Sequence, residues 1–164
     1  MLKILYLILM TFLPFLELRY SIPAGILHGV IQLPFGFRLV GFGLNPVLVF
    51  VVVVITNFIV GLLVYLFLMF IVEELCYFKW FRKWFERTLR HYQKRVQKKV
   101  DKYGLIGVAL FIAVPLPGSG VYSGALGAYA LGLDFKKFML ADLIGVLIAG
   151  ILVTIITLMV GITF

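Results

Sequence analysis

Cysteine is nearly missing from this chain. Cys76 stands alone, which excludes an intrachain disulfide and any multi-cysteine metal centre. The two histidines, His28 and His91, are far apart and lack the spacing of metal ligands. Neither a GxxxxGK[ST] loop nor a strand–GxGxxG–helix pattern occurs, so the chain has no nucleotide site to power work with ATP. No catalytic residue, metal or cofactor is predicted, and the chain is not read as an enzyme.

What is abundant is apolar. Hydrophobic residues make up 63% of the 164, with mean hydropathy +1.15, against about 45–50% in soluble domains. The composition specifies an integral membrane protein of one domain, 1–164. Its net charge of +8 is uneven, since ten of the 15 Lys and Arg residues lie between Glu73 and Tyr103. Positive loops stay on the cytoplasmic side. Basic residues beside spans serve topology and anionic lipid, and no nucleic-acid partner is predicted.

Between Gly104 and Leu133 an apolar run is interrupted by Pro115-Leu116-Pro117-Gly118-Ser119-Gly120-Val121-Tyr122-Ser123-Gly124. Proline removes a donor and clashes with the preceding turn. Each flank is about half a membrane thick if helical. Broken backbone at bilayer depth survives where it is buried in protein or lines a cavity, so 104–133 reads as a re-entrant hairpin. A kinked single span is the competing reading.

The N-terminal 35 residues repeat that design: apolar arm, a tip from Pro14 to Gly25 with Glu17, Arg19 and Pro23, then apolar Ile26 to Leu33. They are read as a first re-entrant hairpin, 1–35, followed by a loop from Pro34 to Pro46. Transmembrane helices are predicted at 46–72 and 138–164. Asn57 and Gly61 share a face of the first; Asp142, Gly145, Ala149 and Leu152 are assigned to one face of the second, where small residues allow close packing. In 74–103 the series Phe78, Phe81, Phe85, Leu89, Tyr92, Val96, Val100, Tyr103 keeps one helical face apolar. That segment is read as a basic amphipathic helix on the cytoplasmic surface.

The predicted fold is therefore an all-α membrane protein, an inverted repeat of re-entrant hairpin plus transmembrane helix joined by the amphipathic helix. Inverted repeats with broken helices near the midplane are a recurring transporter design. Arg19 is the candidate contact for an anionic group, and Glu17 and Asp142 are candidates for proton coupling, Asp142 either interfacial or facing the cavity. A mutual Glu17–Arg19 ion pair is the structural alternative. Ser119, Gly120, Tyr122 and Ser123 supply hydroxyls and the backbone nest of a half-helix start, or else only cap their own helix. Pro14, Pro23, Pro115, Pro117 and Gly118 break the hairpins.

The stretches Glu17-Leu18-Arg19-Tyr20-Ser21-Ile22-Pro23-Ala24-Gly25, Pro115-Leu116-Pro117-Gly118-Ser119-Gly120 and Gly124-Ala125-Leu126-Gly127 resemble the putative small multidrug export protein family, distantly related to the DedA (SNARE-associated/VTT-domain) membrane proteins. The resemblance implies two facing re-entrant hairpins and, from the DedA side, translocation of lipid-linked phosphates and proton-dependent homeostasis. It carries the acid and arginine of the first tip onto Glu17 and Arg19. One departure stands out: DedA proteins carry arginines in the second hairpin, and this tip has none. The expected function is a small proton-coupled secondary transporter or lipid flippase for an anionic, lipid-phosphate-like substrate. Export of lipophilic cations is the alternative, and a non-transporting membrane scaffold is the alternative of another class. A homodimer in a prokaryotic cell membrane is expected.

Overall fold

The computed structural model describes residues 2–32, 38–75, 104–114 and 119–163. Its elements are α1 (Leu2–Thr11), α2 (Glu17–Ile26), β1 (His28–Gln32), β2 (Arg38–Phe42), α3 (Pro46–Leu75), α4 (Gly104–Ala113), α5 (Val121–Ala130) and α6 (Phe135–Thr163). Residues 76–103 of the predicted surface helix lie outside the described residues, as do Pro115, Pro117 and Gly118.

Two helices are long and apolar enough to cross a membrane. Pro46–Ile71 in α3 and Phe135–Val160 in α6 each run 26 residues, with hydropathies of 3.1 and 2.9. A bilayer core needs about 20 apolar helical residues. Each presents large apolar side chains outward, among them Ile55, Phe67, Ile148 and Ile156. A second face turns inward: Val49, Val53, Asn57, Val60 and Tyr65 of α3, and Phe138, Ala141, Asp142, Val146, Ala149 and Val153 of α6. The buried α6 stripe continues through Val153 to Thr157 while Leu152 is exposed, which corrects the predicted face. Three turns of about 3.6 residues carry the face of Asp142 about 11 residues on, to Val153.

The two helices run antiparallel, and their register can be read from three contacts. Tyr65 stacks on Phe138 with ring centroids 4.5 Å apart, Gly61 faces Asp142, and Val54 faces Gly150. Tyr65 also meets Tyr129 and Phe135, and its hydroxyl donates to the Leu133 carbonyl. This aromatic cluster closes the α6 N-terminal end of the core.

The four short helices fill the remaining sides. α1 and α2 have 10 residues each, about 15 Å of helix, and are separated by a turn over 12–16 that holds Pro14. α4 packs on α5 and α6, where Ile112 lies against both Gly124 and Gly145.

Two expectations need correction. The region after α2 is a two-stranded antiparallel sheet with His28 opposite Phe42 and Gln32 opposite Arg38, so the fold is mostly rather than wholly helical. Lys3 Nζ ties α1 to it by donating to the Phe42 carbonyl at 2.9 Å. Pro23 does not break the chain either, because α2 continues through it to Ile26. Burial of Leu18, Ile22, Ala24 and Ile26 around the proline offsets the backbone hydrogen bond it cannot donate.

Candidate functional site

Two interruptions of the helical backbone meet in space. The first ends on Glu17, which has φ 40° and is the one non-glycine residue with positive φ among the described residues. That conformation costs on the order of 1–3 kcal/mol and persists only where surrounding contacts hold it. Here they do. The buried Glu17 carboxylate accepts hydrogen bonds from the backbone N–H groups of Val121 and Tyr122, the first residues of α5. A helix start has unpaired N–H donors and the positive end of the helix dipole, so the carboxylate is a cap supplied from a hundred residues away.

Gly120 makes the approach possible. Its φ is 130°, and a β-carbon there would stand 2.2 Å from Glu17 Oε2. Arg19 completes the junction by donating from one guanidinium nitrogen to the Ser119 carbonyl and, at 2.7 Å, to Ser119 Oγ. Ser119 Oγ donates in turn to the Val114 carbonyl at 2.6 Å. The Tyr122 hydroxyl donates to the carbonyl of Phe12, in the turn of the first tip. The predicted tip residues Glu17, Arg19, Ser119, Gly120 and Tyr122 are therefore together.

Ser123 contributes less. Its hydroxyl donates at 3.5 Å to the carbonyl of Gly120, the residue just before α5, and no side chain of α5 caps the helix's own start. The predicted open nest of amides at α5 is also filled, by Glu17 itself. Opposing influences act on that carboxyl group: burial disfavours its charge, while Arg19 and the two amides favour it. The first-tip acid and the first-tip base thus each bind the second tip.

Asp142 is elsewhere. It is fully buried, and its carboxylate lies over Gly61 of α3 rather than at the tips. Sequence reasoning placed Asn57 and Gly61 on one helical face but could not pair that face with Asp142. No group of three or more His, Cys, Asp or Glu side chains able to hold a metal exists among the described residues.

The family model described as Putative small multi-drug export protein matches residues 17–152. The chain belongs to that family. The matched region begins at the tip acid Glu17 and runs past Asp142, so it takes in Glu17, Arg19, Ser119, Gly120 and Tyr122. The family's description and the two long apolar helices make this small multi-drug export family member an integral membrane protein with a transporter-like role. No curated protein and no solved structure matches the chain.

Proposed function

We propose that this protein is a small secondary transporter whose substrate site is the junction of the two tips. In this reading α1–α2 and α4–α5 are re-entrant hairpins. Each is followed by a full span, and the two halves are inverted relative to one another. The observation that carries the proposal is the Glu17 carboxylate on the Val121 and Tyr122 amides. It is an oxyanion cradle occupied by the protein's own oxyanion.

A proton on Glu17 removes the charge that the α5 N-terminus attracts, and the carboxyl group lets go. The two amides, Arg19 and Ser119 then face an incoming anionic group in place of the carboxylate. Phosphate suits this donor set, since guanidinium and helix N-termini both bind it. The substrate class is an anionic amphiphile resembling a lipid phosphate, in keeping with a DedA-like kinship, and the coupling ion is the proton.

The family's name favours a second reading, export of lipophilic cations with Glu17 as counter-ion. Flux in reconstituted liposomes separates the two. For an anionic substrate, Arg19→Ala abolishes transport of a fluorescent phosphate lipid. For a cationic one, Arg19→Ala is tolerated and Glu17→Gln abolishes transport of a lipophilic dye. Movement of neither, with or without a pH gradient, leaves the scaffold. We assign residues 74–103 to the cytoplasmic face against anionic lipid, and a homodimer in a prokaryotic cell membrane to the working protein.

A further inference from the structure

The Asp142 carboxylate is fully buried, and both of its oxygens lack a hydrogen-bond partner. It lies where α3 and α6 meet: a β-carbon on Gly61 would stand 2.3 Å from Oδ2 and 2.7 Å from Oδ1. Asn57 is one turn from Gly61 on the same α3 face, and its Oδ1 is likewise buried without a partner. We infer that Asp142, set against Gly61 between α3 and α6, is a second, internal proton-binding site, separate from the tips.

The groups around it decide what it can hold. From α2 comes Glu17, a like charge held by the Val121 and Tyr122 amides. Arg19, on the same helix, is committed to Ser119. α3 brings Asn57 and Tyr65, whose hydroxyl is bound to Leu133; its acids, Glu73 and Glu74, are at its far end. α4 and α5 contain no charged residue. Within α6, Lys136 and Lys137 are exposed in the first turn, next to exposed Asp134. They are separated from Asp142 by the Tyr65–Phe138 stack.

No cation among these groups is placed to neutralise Asp142. An isolated buried carboxylate in a low-dielectric interior is expensive enough that the group takes up a cation instead. A metal ion needs several oxygens around it, and beyond the carboxylate the shared α3 face offers Asn57 Oδ1. A proton needs no such shell. Between Asp142 and the basic end of α6 stand the packed rings of Tyr65 and Phe138.

Any part the site plays in transport rests on the reading above. There the anion takes the place that Glu17 leaves, so the charge at the tips is the same with either, and the proton on Asp142 is bound independently of which of the two holds the α5 amides.

Infrared spectroscopy of the full chain in lipid tests the site without transport. The expected result is a protonated-carboxyl carbonyl band at neutral pH that is lost in Asp142→Asn, persists in Glu17→Gln and does not respond to sodium. Should Asp142→Asn fail to fold, carboxyl-carbon-13 aspartate labelling of the wild type serves instead. The band then shifts with the label and survives Asp101→Asn and Asp134→Asn. Absence of the band, its indifference to Asp142→Asn or to the label, or its loss on adding sodium overturns the proposal. A band that behaves as expected while flux ignores Arg19 leaves this site standing and removes the tip reading. The reverse outcome does the opposite.

Discussion

Glu17 and Gly120 share one volume: the space a β-carbon on Gly120 would need is filled by Glu17 Oε2, 2.2 Å away. Substituting Gly120→Ala forces the carboxylate off the α5 amides and strains a backbone at φ 130°. The variant is expected to lose about 1–3 kcal/mol of stability, read as a lower thermal midpoint in detergent. In a Glu17→Ala background the added loss shrinks, because residues in contact are not additive.

Arg19 holds two acceptors of Ser119 from one guanidinium nitrogen. Lysine carries the charge but has no planar fork. Arg19→Lys is expected to destabilise the tips by about 1–3 kcal/mol, the scale of a lost charged hydrogen bond. Ser119→Ala costs less, because the carbonyl acceptor remains. Thermal unfolding of the two variants side by side checks the order.

Tyr122→Phe removes the bond to the Phe12 carbonyl and leaves the α5 amide that binds Glu17 in place. The expected loss is about 1 kcal/mol. Proteoliposome flux should keep the wild-type substrate preference, since neither Arg19 nor the amides change.

Gly61→Ala drives a methyl group into Asp142, 2.3 Å from Oδ2. Overpacking of this kind costs about 1–3 kcal/mol. The additional change Asp142→Ala vacates the space, so the double variant is expected to regain most of the lost thermal midpoint.

Much of this architecture was legible in the sequence because it follows from local chemistry. Runs such as Val47–Val72 announce a span by hydropathy alone, and Glu17 and Arg19 stand out as charges in apolar surroundings. Their partners were not legible. The α5 amides lie a hundred residues on, and only tertiary packing brings Glu17 to Gly120 or Asp142 to Gly61. The sheet was missed for a different reason. Val30-Ile31 and Leu39-Val40 are too short for periodicity to separate strand from helix, although Pro34 and Gly36 between them are a hairpin signal. Pro23 was over-read, since burial lets α2 run through a residue that would end an exposed helix.

An oxyanion bound at the tip junction takes the place of Glu17. Phosphorus-31 NMR of a short-chain alkyl phosphate titrated with the detergent-solubilised full chain tests it most directly. The expected result is a saturable change in the phosphate signal that is kept in Tyr122→Phe and lost in Arg19→Ala. An unchanged signal with the wild type, or an equal response from Arg19→Ala, would contradict it.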